Sequence, residues 1–300
     1  MIHSRSTEFH PELRRVGHLL PKQVVTRRTL PLMVFPNRIR PRTPKGVEVV
    51  ELRPGVTVRV FRPPNVSGPH PALLWIHSGG YIMGTAARDD KICARFAREL
   101  GATVAAVEYR LAPRHPYPAA LEDCYSALTW LAGKPSVDSS RLAIGGASAG
   151  GGLAAALAFL ARDRAETAVV AQLLVYPMLD DRTVDRPGAE HPKMRLWSQH
   201  SNRLAWSSYL GGADPDVAVP ARRKDLAGLP SAWIGVGDLD LFYLENLDYA
   251  EQLKSADVPC EVEVIPGAFH GFDAILPRTN VARAFFSSQC AALRRAFSPK

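Results

Sequence analysis

The 300-residue chain is predicted to form one α/β unit: a mostly parallel sheet of eight strands, helices on both faces, and a helical cap. Two observations lead there. From residue 73 onward, short apolar runs alternate with helix-length segments, as in a sheet whose crossovers are helical. A glycine-flanked Ser148, then Asp240, then His270 each fall just past the C-terminal end of such a run, where open α/β sheets carry their sites.

The elements follow in order. Val47 to Leu52 and Val56 to Phe61 flank Arg53-Pro54-Gly55, a turn signal, and supply an antiparallel edge hairpin. Pro63, Pro64, Gly68 and Pro69 make a loop. Strand Leu73–His77, helix Asp89–Leu100, strand Thr103–Val107 and helix Ala119–Leu131 come next. Strand Leu142–Gly145, helix Ser148–Arg162 and strand Ala171–Tyr176 continue the rhythm. After an interruption it resumes with strand Trp233–Val236, helix Asn246–Ala256, strand Val262–Ile265 and helix Val281–Phe297.

Gly146-Ala147-Ser148-Ala149-Gly150 sits between a strand and a helix, the setting of a nucleophile elbow. The turn strains the serine backbone, and large flanking side chains would clash. A serine hydroxyl is a poor nucleophile at neutral pH and needs a base. His270, in Gly267-Ala268-Phe269-His270-Gly271-Phe272, is the candidate base. Asp240 is the candidate carboxylate, with Asp238 as its rival. The chain order Ser, Asp, His is neither the trypsin nor the subtilisin order. Upstream, Leu73-Leu74-Trp75-Ile76 runs into His77-Ser78-Gly79-Gly80-Tyr81. Glycines there expose backbone N–H groups to a developing oxyanion. His77 is expected to shape this loop by hydrogen bonding. Arg110 and Asp123 are expected to pair near the sheet, a solvated arginine being the alternative.

These motifs resemble the bacterial branch of the hormone-sensitive-lipase-like esterases, in the α/β-hydrolase superfamily. Trp75-Ile76-His77-Ser78-Gly79-Gly80-Tyr81, Tyr109-Arg110-Leu111-Ala112-Pro113, the elbow, Tyr176-Pro177-Met178-Leu179-Asp180, Asp240-Leu241-Phe242 and the histidine loop carry the likeness across most of residues 46–300. The resemblance implies an α/β-hydrolase fold with Ser148 as nucleophile, Asp240 rather than Asp238 as the acid, and His270 as the base. It implies oxyanion donors at Gly79, Gly80 and Ala149. Ser78 departs from the family's usual glycine, which bears on breadth towards bulky esters. The implied activity is a serine carboxylesterase for short- to medium-chain acyl esters. A deacetylase or amide or formamide hydrolase would use the same triad. A non-catalytic ligand-binding protein on this fold is argued against by the presence of His270.

Residues 181–220 interrupt the strand–helix rhythm and gather Trp197, Trp206 and Tyr209. Together with residues 1–45 they are expected to form the cap, over a catalytic core of 46–180 and 221–300. The expected substrate pocket comprises Tyr81, Trp197, Trp206, Tyr209, Phe242 and Phe272. The alternative is that the cap aromatics merely pin the insertion to the core.

Apolar residues make up 46% of the chain and charged residues 22%, values of a soluble globular protein. No apolar stretch matches a bilayer span, so stable membrane insertion is not expected. Cys93, Cys124, Cys260 and Cys290 lack metal-ligand spacing and read as free buried thiols in a reducing cytoplasm. No cofactor and no metal are expected. The net charge of +8 lies in the first 45 residues, which hold Arg14, Arg15, Lys22, Arg27, Arg28, Arg38, Arg40 and Arg42 among others. An amphipathic helix around Pro11–Leu20 with a solvated basic face is preferred over a nucleic-acid-binding arm. A homodimer through the edge at Val262–Ile265 is a further expectation from the family.

Overall fold

A computed structural model describes residues 5–31 and 43–298 of the chain. Arg38, Arg40 and Arg42 of the basic segment lie outside them. Eight strands form one sheet in the order β1-β2-β4-β3-β5-β6-β7-β8. The hairpin of β1 (Val47–Arg53) and β2 (Val56–Phe61) pairs antiparallel with β4 (Thr103–Glu108). Strands β3 (His70–Ile76), β4, β5 (Val137–Ala147), β6 (Ala171–Val175), β7 (Ser231–Gly237) and β8 (Cys260–Ile265) run parallel. Their C-terminal ends therefore share one edge of the sheet.

Alternation along β3 explains the layering. Leu74 and Ile76 join a core on one face, and Leu73 and Trp75 join a second core on the other. Helices α3 (Ala119–Ala132) and α4 (Ala149–Arg164) fill the first face with Leu128, Leu153 and Leu157. Helices α2 (Asp90–Leu100) and α9 (Asn280–Phe297) fill the second with Phe96, Phe285 and Leu293. Between β7 and β8 lies α7 (Tyr243–Ser255).

Several boundaries shift. Strand β5 begins five residues before the expected Leu142, because His70 pairs with Val137 across a register irregularity. Helix α7 starts at Tyr243 rather than Asn246, so the acid loop is shorter than expected. Pro11 lies in a turn, and helix α1 covers only Arg14–Leu19. The expected Arg110–Asp123 pair forms, with Asp123 fully buried and Arg110 Nη2 2.8 Å from its Oδ1. Arg53 also bonds that carboxylate. Cys93, Cys124 and Cys290 are buried free thiols, but Cys260 is partly exposed because it begins the edge strand β8. No helix among the described residues is long and apolar enough to cross a membrane.

Candidate active site

Ser148 occupies the turn between β5 and α4 with φ 57° and ψ −120°, a conformation that costs a non-glycine residue energy. Three backbone bonds hold it there. Its N–H donates to Val175 O at 2.9 Å, and its carbonyl accepts from Gly152 and Met178, both at 3.0 Å. Glycine at 150 is sterically required, since a Cβ there would sit 2.0 Å from Ile76 O on strand β3. The elbow is thus pressed onto the neighbouring strand.

His270 reaches Ser148 Oγ with Nε2 at 3.0 Å, and Asp240 Oδ2 with Nδ1 at 2.7 Å. With Asp240 ionised, Nδ1–H is the donor, which leaves the Nε2 lone pair facing the serine hydroxyl. Asp240 is fully buried, and its Oδ1 accepts from Phe242 N–H at 2.9 Å. The acid and histidine loops are stitched together by Leu239 N–H to Ala268 O at 3.1 Å and Asp238 N–H to Ile265 O at 3.2 Å. Asp238 does not face the imidazole. Its Oδ2 accepts from Ser6 N–H and Ser6 Oγ–H at 2.9 and 2.6 Å, and its Oδ1 from Gly267 N–H at 2.7 Å.

Gly79 and Gly80 have φ of 131° and 59°, in the region that favours glycine. Neither amide, nor that of Ala149 at the start of α4, donates to a carbonyl among the described residues. Helix-start amides have no partner inside their own helix, and they favour negative charge. Ser78 is exposed beside them. His77 shapes the loop as expected: its Nδ1 bonds Ser78 O at 2.7 Å, and its ring stacks on Tyr109 at 4.1 Å. Burial pushes the His77 pKa down to about 4, so it stays neutral near neutral pH. Among the described residues no group of His, Cys, Asp or Glu could hold a metal ion.

The predicted pocket residues divide. Trp197 lies against the Gly79–Gly80 loop, so close that a Cβ on Gly80 would meet its Cη2 at 2.3 Å. Phe242 packs edge-on to His270 at 5.2 Å. Tyr81 stacks on Tyr209 at 4.1 Å and touches Trp206 at 5.3 Å, with its hydroxyl bonded to Met178 O. These three are all but fully buried, and they anchor α5 (Gln199–Leu210) to the core. The expectation for Phe272 is corrected. It is fully buried against Phe285 in the core on the opposite face, because Gly271 turns the chain away after His270.

An N-terminal strap went unrecognised in the sequence. His10 N–H donates to Gly267 O at 2.8 Å, three residues before His270. Arg5 bonds Ala189 O, and Ser6 holds Asp238. Further on, Pro21 O accepts from Leu196 N–H at 3.0 Å, and Leu196 O accepts from Val24 N–H at 3.3 Å. Leu196 itself has φ 71°. This residue immediately precedes Trp197, so the strap fixes the indole on the Gly79–Gly80 loop. A lone serine or arginine in an extended segment has no local pattern that announces such bonds.

A family model described as the α/β-hydrolase fold matches residues 73–274. The chain is 34% identical over 259 residues to carboxylesterase NlhH of Mycobacterium tuberculosis, covering 80% of this chain and 78% of that one. It is 32% identical over 228 residues to an ethyl acetate hydrolase of Pseudomonas putida, covering 72% and 70%. Among solved structures, a bacterial heroin esterase superposes with a TM-score of 0.85 at 36% identity, over 97% of this chain and 98% of the other. Esterase LipW from Mycobacterium marinum gives a TM-score of 0.85 at 35% identity, over 99% of each.

Proposed function

The chain belongs to the α/β-hydrolase family and is a carboxylic ester hydrolase; from that premise we propose that it cleaves short- to medium-chain acyl esters through an acyl-enzyme on Ser148. The observation that carries this reading is the continuous relay from Ser148 Oγ through His270 to buried Asp240, at 3.0 and 2.7 Å. Ser148 Oγ attacks the ester carbonyl carbon while its proton passes to His270 Nε2. The oxyanion accepts hydrogen bonds from the Gly79, Gly80 and Ala149 amides, which donate to no backbone carbonyl among the described residues. The C–O bond to the alcohol breaks as His270 returns the proton to the leaving oxygen. Water then repeats the sequence against the acyl-enzyme, with His270 as base, and releases the acid.

Of the cap segments 1–45 and 181–220, residues 5–31 and 181–220 act as the cap over a core of 46–180 and 221–300, residues 1–4 and 32–42 lying outside the described residues. Trp197 lines the acyl side of the site, while Phe242, with no exposed surface, packs against the imidazole of His270. Each methylene that a pocket buries contributes about 0.8 kcal/mol, or roughly four-fold in specificity, until the chain meets the wall. Two copies pair through the open edge of β8, which offers unpaired backbone groups. A reducing cytoplasm suits the four free thiols.

Labelling with an acyl-mimicking phosphonate, followed by peptide mapping, tests the nucleophile. Modification of Ser148 alone, with concurrent loss of ester hydrolysis, is the expected result. Modification of another serine would overturn the assignment. A rate series over aryl esters and matched anilides separates esterase from amidase preference.

A further inference from the structure

His270 is held by more than Asp240. Its imidazole lies between two aromatic rings, Phe242 at 5.2 Å and 85°, and Tyr176 at 4.9 Å and 65°. Tyr176 follows the last residue of β6 and is one of the few non-glycine residues with positive φ, at 35°. Such strain persists only where the surroundings over-determine it, and it clusters at functional sites. The surroundings here are specific. Tyr176 N–H donates to Gly235 O at 2.7 Å, and its hydroxyl donates to Asp273 Oδ1 at 2.9 Å. Asp273 lies three residues beyond His270, in the short helix α8 (Phe272–Ile275).

Resting on the triad reading above, we propose that Tyr176 and Asp273 are a positioning pair for His270. Tyr176 fixes the ring against rotation. The Asp273 carboxylate fixes Tyr176 and adds a second negative charge near the imidazolium that forms in each half-reaction. Neither residue touches the reacting atoms.

The electrostatics around the pair are as follows. His270 faces Asp240 from the acid loop, Ser148 from the elbow, Tyr176 from the end of β6, and Asp273 from its own loop. Asp89, in the Ala86–Asp89 turn, acts on both Tyr176 and Asp273. Burial raises the Asp273 carboxyl pKa, and the Tyr176 hydroxyl, two backbone amides and His270 work against that rise. Of the carboxylates around the pair, Asp240 bonds the imidazole directly, and Asp273 reaches it through Tyr176.

The test is steady-state hydrolysis of an aryl butyrate by Tyr176→Phe, Asp273→Asn and the double variant, with active sites counted by phosphonate. Tyr176→Phe keeps the ring and removes only the hydroxyl bond. Each single variant is expected to lose about ten-fold in kcat, and the double less than the product of the two losses, because Tyr176→Phe removes the hydroxyl bond that Asp273→Asn weakens from charge-assisted to neutral. KM should stay within about two-fold. The acidic limb of kcat/KM should move to lower pH in Asp273→Asn, since a negative charge that favoured the imidazolium is gone, and should hold in Tyr176→Phe. An unchanged kcat in Tyr176→Phe, multiplying losses in the double variant, or an unmoved limb in Asp273→Asn overturns the proposal. Should Asp273→Asn fail to fold by circular dichroism, the Tyr176→Phe rate decides alone. Failure of the phosphonate to label Ser148 in the parent would instead sink the triad reading.

Discussion

Ser148, Asp240 and His270 stand on loops that continue the sheet, and backbone bonds between neighbouring loops fix them. Trp197 stands on a segment with no strand beneath it, and the N-terminal strap fixes it through bonds to Leu196. The floor of the site is therefore positioned by the fold itself, and the roof by contacts remote in sequence. Changes to the floor should strike the chemistry, while changes to the roof should strike substrate choice.

The sharpest test of the floor is Ser148→Ala. It removes the nucleophile with little effect on packing, and kcat should fall roughly a million-fold, measured against an aryl ester with the fold checked by circular dichroism. Asp240→Asn comes next. It leaves the geometry but disturbs the tautomer, and should cost about ten-thousand-fold in kcat. Asp238→Asn should cost far less, because that carboxylate binds Ser6 and Gly267 rather than the imidazole. A larger loss at Asp238 than at Asp240 would reverse the assignment within the acid loop.

The roof gives smaller effects of a different kind. Trp197→Ala opens space beside Gly80 and should flatten the acyl chain-length profile, each methylene being worth about four-fold where it is buried. Trp206→Ala and Tyr209→Ala should instead lower the melting temperature, since both side chains are anchored in the core. A shifted chain-length profile without lost stability in either would return them to the pocket.

The smallest expected effect is a pH slope. His77 is held neutral with its pKa pushed down to about 4 from an ordinary 6.5. Between those values the unfolded chain binds a proton that the folded loop does not. Folding stability should therefore fall as pH drops from about 6.5 towards about 4. His77→Asn should flatten that slope in melting curves. Activity should also fall on the acid side, because a protonated His270 cannot accept the serine's proton.

The floor was legible in the sequence because its devices are local. An elbow needs small residues around its serine, an oxyanion loop needs glycines, and strands feed each loop. Asp240 could be preferred over Asp238 only through the family likeness, and the geometry now gives the reason: Asp238 is turned towards the strap. The roof was less legible. Aromatic residues in an insertion announce burial but not what buries them, so Trp197 and Trp206 read alike and sit differently. Phe272 follows His270 by two residues, yet a left-handed Gly271 sends it to the other face. Ser6 and Arg5 carried no signal, since their partners lie more than 180 positions away.

That separation has a consequence for the order of events during synthesis. Ser6 is made 232 positions ahead of its partner Asp238, and Gly267, which binds His10, comes later still. Domains emerging N-terminal first acquire structure as they are made, at about 5–20 residues per second. The strap must wait some tens of seconds before its docking site exists. Until then the growing polypeptide carries its Gly79–Gly80 loop without the strap-held Trp197 against it, and the contacts among Ser148, His270 and Asp240 form only once His270 has been made.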